Sequence, residues 1–254
     1  MKHIFCFDGT CNGNDDEFPT NIRTIRDMVT GPNDQAVYYY EGPGNDEDNL
    51  IDHWLGAGLG YGMRHTSSAA FGRLKSVYQP GDTIAVFGFS RGAAIARMFC
   101  HKVCEHPVPV EFLGCFDTVV AFLPWGRFQQ DPLFGNLHVS DLVLNARHIL
   151  ARDEDRQAFA PRLMNDRDNV FEIWARGNHA DIGGGYEENG LSNRSLHWML
   201  EEARSVTSID FGWDRPHIYS HEPHEEDLPL LREKRVPIVL VNDKPSDLEP
   251  VFLG

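Results

Sequence analysis

Positive charge is what this sequence has least of. Its 254 residues carry 23 lysines and arginines against 38 aspartates and glutamates, a formal net charge of −15. That balance excludes an ordinary nucleic-acid binder, because phosphate contacts draw on clustered Lys and Arg. It also weakens non-specific attraction to anionic membranes, although a local basic patch still allows peripheral membrane contact. Long apolar runs are missing as well: no stretch approaches the roughly 20 residues of a transmembrane helix. The opening "MKHIFCFDG" meets an aspartate before a signal-peptide core can form. Cysteine is sparse and odd in number. Cys6, Cys11, Cys100, Cys104 and Cys115 sit mostly in apolar segments, which fits buried free thiols rather than a disulfide framework. The expectation is a cytoplasmic protein, with export by a signal-peptide-independent route left open. Repeats and low-complexity linkers are also lacking, so residues 1–254 read as a single domain.

What the chain does have is alternation. Apolar, β-branched or aromatic runs such as "HIFCF", "AVYYY", "TIAVFGF", "EFLGCF" and "VFEIWAR" read as strands. Between them, Ile22, Ile25 and Val29 recur at helical spacing, a helix is expected over 64–78, and "RGAAIARMFCHKV" and "SNRSLHWMLEEA" continue the pattern. The last of these is expected to be capped at Ser192 or Asn193. The stretch from Asp52 to Gly60 reads as a loop or cap, "DLVLNARHIL" fits strand or helix, and "VPIVLVN" reads as a late strand or an extended tail. Strands alternating with helices predict an α/β fold, a mostly parallel central sheet with helices on both faces. In such sheets functional groups gather beyond the carboxyl ends of the strands.

Polar groups stand at those ends. "VFGFSRGAAIAR" places Ser90 between an apolar run and a helix-forming run, with Gly88 and Gly92 allowing the tight turn of a nucleophile elbow. The alternative is a serine in an ordinary strand-to-helix connection. A serine hydroxyl needs a base, normally a histidine oriented by a carboxylate. Asp117 after "GCF" and His179 in "GNHADIGGGY" follow Ser90 in the chain order of α/β-hydrolases. Asp181 is the rival acid, or else braces its own turn. The helix beginning at Arg91 offers one oxyanion donor through its backbone, and Gly9 or Thr10, after the first strand, offers the other. Asp8 must then be tied into its own turn, since a carboxylate aimed inward would repel an oxyanion. "FDGT" does not support a haloacid-dehalogenase phosphatase, because Cys6 stands where that chemistry needs its nucleophilic aspartate.

Two further clusters are weaker. His217, His221 and His224 with Glu225 and Glu226 resemble a metal site, but Pro216 and Pro223 disrupt regular spacing. "YYYEGPGNDEDN" lacks the alternating ligand spacing of a calcium loop. No metal and no cofactor is expected. Trp54, Leu55, Leu59, Phe122, Leu123 and Trp125 are candidates for an acyl pocket and equally for ordinary core.

"FDGTCN" with "PTNI", "YYYEGPG", "GFSRGAAIAR", "CFDTV", "DEDRQAFAP" and "GNHADIGGGY" together resemble the bacterial and fungal α/β-hydrolase-like family that includes type VI secretion phospholipase effectors. The resemblance implies a serine esterase or lipase with Ser90 as nucleophile, Asp117 as acid and His179 as base. The expected substrate is an acyl ester, with lipid or phospholipid suggested by the family. Large effectors of this family carry long insertions and a membrane-anchoring region, whereas this chain is close to a bare core. The alternatives are an esterase or thioesterase acting on a small soluble substrate, and an idle hydrolase fold used for binding.

Overall fold

Buried, β-branched and aromatic segments pair side by side to form the sheet that the alternation predicts. The computed structural model describes residues 1–10, 12–14, 16–29, 34–42, 58–120, 137–212, 223, 239–241, 244–246 and 252–253. In chain order the elements are β1 (Lys2–Phe7), α1 (Asn21–Met28), β2 (Gln35–Tyr40), α2 (Gly58–Val77), β3 (Thr83–Phe89), α3 (Arg91–Cys104) and β4 (Phe112–Phe116). They continue as β5 (Ala146–Ala151), β6 (Val170–Ala175), α4 (His179–Gly183), α5 (Gly190–Val206), β7 (Val239–Val241), β8 (Lys244–Ser246) and β9 (Phe252–Leu253). The sheet order is β2-β1-β3-β4-β5-β6-β9 with every neighbouring pair parallel, while β7 and β8 form a separate antiparallel pair.

A parallel sheet is covered on both faces, so its strands are apolar throughout rather than alternating. Ile4, Cys6, Phe87 and Phe116 face one layer, where Ile22 and Ile25 of α1 and Leu196, Met199 and Leu200 of α5 cover them. Phe5, Phe7 and Val86 face the other, against Met63 and Leu74 of α2 and Ala96 and Phe99 of α3. The fold is α/β-hydrolase-like. Cys6, Cys100, Cys104 and Cys115 are buried free thiols, and burial pushes Cys115 up to about 12, which keeps it protonated and inert. Cys11 lies outside the described residues.

Two helix boundaries need correction, and two open readings resolve as strands. The helix expected over 64–78 begins at Gly58, so Gly58–Gly60 is helix rather than loop or cap, because its glycines do not prevent helix where the following turns pack against α3. The ambiguous "DLVLNARHIL" yields a strand only from Ala146, where it inserts between β4 and β5's other neighbour, β6. The helix expected to be capped at Ser192 or Asn193 starts at Gly190, with Asn189 as its N-cap residue. "VPIVLVN" contributes a strand, β7, but to the small antiparallel pair rather than the main sheet.

The chain runs from β1 outward to β2 and then returns to β3 on the opposite side of β1, so the order in which strands are added reverses between β1 and β3. At such a switch point the loops leaving adjacent strands part, and the crevice between them is where ligands bind. The loops leaving β1 and β3 carry Asp8–Thr10 and Ser90.

Candidate active site

Ser90 occupies the single residue between β3 and α3, and its backbone is strained. It has φ 58° and ψ −125°, a region that side-chain-bearing residues avoid, at a cost of about 1–3 kcal/mol. Neighbouring backbone over-determines the turn. The Ser90 N–H donates to the Phe116 carbonyl at 3.0 Å, and the Ser90 carbonyl accepts from the N–H groups of Ala93, Ala94 and Val119. The flanking glycines are required by contact: a Cβ on Gly88 would lie 2.6 Å from the Ala93 Cα, and one on Gly92 would lie 2.2 Å from the Phe7 carbonyl oxygen. The Ser90 hydroxyl makes no capping bond to its own helix.

One strand over, Asp117 follows β4 in a second positive-φ turn (φ 37°) and is fully buried. Its Oδ1 accepts from the Ala151 N–H at 3.0 Å, and its Oδ2 accepts from His179 Nδ1 at 2.7 Å. A carboxylate can only accept, so this bond places the imidazole proton on Nδ1 and the lone pair on Nε2. His179 Nε2 is buried and has no hydrogen-bond partner among the described residues. The ring lies between Phe89, centroids 4.6 Å apart and tilted by 32°, and the edge-on Phe159, 4.8 Å away at 68°. His179 is thus held by aromatic contacts on two sides and a carboxylate on Nδ1.

His179 does not sit in a loop. It opens the single-turn helix α4, where the Asn178 side chain accepts from the Ala180 and Asp181 N–H groups and the Asp181 carboxylate accepts from the Asn178 N–H. This reciprocal arrangement is a capping box. The Asp181 carboxylate therefore braces the turn that carries His179, while Asp117 bonds the imidazole.

Beyond β1, Asp8 is buried and tied into its own turn: it accepts from the Gly9 N–H, the Thr20 hydroxyl and the Tyr39 hydroxyl, each at 2.7 Å. Burial pushes its carboxyl above the ordinary range, against the downward pull of those three bonds. The Gly9 N–H, one of the two expected early-loop donors, is thus committed to Asp8. The buried Arg91 guanidinium donates to the Thr10 hydroxyl at 3.0 Å and ties the start of α3 to this loop.

Four polar residues escaped the sequence reading. Glu154 and Arg156, in the loop after β5, form a buried two-pronged ion pair with bonds of 2.8 and 2.6 Å, and Glu154 also accepts the His179 N–H at 3.1 Å. Burial pushes the Glu154 carboxyl up, but the Arg156 bonds and charge, with a smaller contribution from His179, outweigh it and leave it below the ordinary range. The buried His148 and the partly buried Glu172 form another pair at 2.6 Å, and His148 Nε2 accepts the Thr118 N–H at 3.0 Å beside Asp117. The one signal for Glu154 and Arg156 was "DEDRQAFAP" among the motifs of the family resemblance, and nothing there pointed to His148 or Glu172. Trp54, Leu55, Phe122, Leu123 and Trp125 lie outside the described residues, as do His217, His221, His224, Glu225 and Glu226. Among the described residues no metal-ligating group of three is found, and no helix is long and apolar enough to cross a membrane.

The chain resembles several known proteins. One is the Tle1 effector bound to the VgrG spike of the type 6 secretion system, with a TM-score of 0.53 and 22% identity over 74% of this chain and 51% of that one. Another is an uncharacterised protein from Pseudomonas aeruginosa, with a TM-score of 0.60 and 18% identity over 85% of this chain and 48% of that one. An uncharacterised Saccharomyces cerevisiae protein, YEL023C, is 30% identical over 114 residues, which is 39% of this chain and 17% of that protein. The chain thus spans about half the length of the two solved structures and a smaller share of the yeast protein. The family model for the catalytic domain of Tle1-like type VI secretion phospholipase effectors matches residues 1–105 and 99–202, and this chain belongs to that family.

Proposed function

We propose that this chain is a serine hydrolase of carboxylic esters, acting on lipid or phospholipid acyl groups, with Ser90 as nucleophile, His179 as base and Asp117 as acid. The observation that carries the reading is the 2.7 Å bond from His179 Nδ1 to Asp117 Oδ2, made beside a strained Ser90 whose backbone is bonded to the Asp117 turn. His179 Nε2, with its lone pair unused, takes the Ser90 hydroxyl proton as Oγ attacks the ester carbonyl carbon. Asp117 stabilises the imidazolium that forms. The backbone N–H groups of Thr10 and Arg91 receive the oxyanion, with the positive end of α3 adding to the field. Collapse of the tetrahedral adduct returns the proton from Nε2 to the departing alcohol and leaves an acyl-enzyme. Water activated by the same histidine releases the acid and restores Ser90.

Phospholipid as substrate rests on the family alone, and residues 1–254 act as one catalytic domain in this reading. Labelling with a fluorophosphonate probe, alongside turnover of esters from acetyl to long-chain acyl and of phospholipid vesicles, tests it. Wild type should label and turn over long-chain substrates, and Ser90→Ala should do neither. Absence of a Ser90-dependent adduct overturns the reading in favour of an idle binding module. Turnover confined to acetyl and butyryl esters moves the substrate to a small soluble ester or thioester.

A further inference from the structure

The "DEDRQAF" segment has no part in the triad, yet its side chains converge on the histidine. Asp153 accepts the Gly177 N–H at 2.8 Å, and its own N–H donates to the Gly177 carbonyl at 3.0 Å, so the loop after β5 grips the chain two residues before His179. Glu154 grips it again at the His179 N–H. Arg156 fixes the Glu154 carboxylate through its guanidinium and its own backbone N–H. The same guanidinium lies 3.9 Å over the Phe159 ring, and that ring makes a T-shaped contact with the His179 imidazole. Glu154 and Arg156 are 2% and 4% exposed, so the pair is shielded from water and salt.

We propose that the Glu154–Arg156 pair is a positioning unit for the catalytic base: Glu154 fixes the backbone of His179, and Arg156 fixes its ring through Phe159. The role rests on the triad reading above. Its physical sense lies in the shortness of α4. A helix of one turn has little rigidity of its own, and the imidazole must hold Nδ1 on Asp117 while Nε2 faces the serine. A displacement of about 1 Å in such a geometry costs about 100-fold in rate. Both charged side chains are buried against the loop that carries His179, so their loss should fall on kcat and spare KM.

The test measures kcat and KM on a short activated ester for Glu154→Gln and Glu154→Ala, with active sites counted by fluorophosphonate burst so that misfolded protein does not enter the rate. Glu154→Gln keeps an acceptor for the His179 N–H but loses the ion pair, and its kcat per labelled site should fall about tenfold with KM unchanged. Glu154→Ala should fall about 100-fold. If the alanine variant does not fold, the glutamine variant decides alone. Wild-type kcat per labelled site in the folded variants, or a raised KM at unchanged kcat, overturns the positioning role while the triad stands. A wild-type enzyme that neither labels nor turns over removes the triad reading and the positioning role together.

Discussion

At the scale of single residues, the two aspartates near His179 divide the work between orientation and support. Asp117 bonds the imidazole, and Asp181 bonds the backbone that begins α4. Asp117→Asn, in which an amide replaces the carboxylate at Nδ1, favours the wrong tautomer and should lower kcat by about four orders of magnitude at unchanged stability. Asp181→Asn retains an oxygen that can accept the Asn178 N–H and should leave kcat close to wild type. Steady-state rates of the two variants check the assignment, and the reverse order would make Asp181 the acid. Both aspartates were visible in the sequence, and Asp117 could be preferred from chain order alone. The capping box around Asp181 was harder to see, because His179 followed by Ala180 and Asp181 among glycines reads as loop.

At the scale of elements, the site depends on how closely α3 approaches the end of β1. A Cβ on Gly92 would meet the carbonyl oxygens of Phe7 and Asp8 at 2.2 and 2.4 Å, and neither is a flexible group. Gly92→Ala must therefore push the helix start away from β1 and separate Arg91 from Thr10. We expect it to lose about 1–3 kcal/mol of stability and to label more slowly with fluorophosphonate even where it is folded; denaturant unfolding and labelling rates measure the two effects. Strand ends and the elbow were legible because fully buried parallel strands leave long apolar runs that stop abruptly at polar residues. The loop after β5 was not, since Glu154 and Arg156 satisfy each other across a pairing that only the fold brings against His179. The start of α2 escaped for a related reason: its glycines lower helix propensity, and tertiary packing against α3 overrides it.

At the scale of the whole molecule, a net charge of −15 should govern how the protein meets a lipid surface. Raising ionic strength from about 0.01 to 0.15 M shortens the screening length from about 30 to 8 Å. Turnover on anionic vesicles should therefore rise over that range, while turnover on zwitterionic vesicles changes little. A fall on anionic vesicles would reveal a local basic patch instead. The turn at Ser90 has a different reach. Its N–H is bonded to the carbonyl of Phe116, its carbonyl receives Val119, and the Thr118 N–H is held by His148, so backbone at the mouth of the crevice is fastened to the central strands. Amide protons in such a place exchange only when the surrounding sheet opens. The Ser90 turn should accordingly exchange with the molecule's most protected cooperative unit, and heat should abolish its geometry at the same step that melts the sheet.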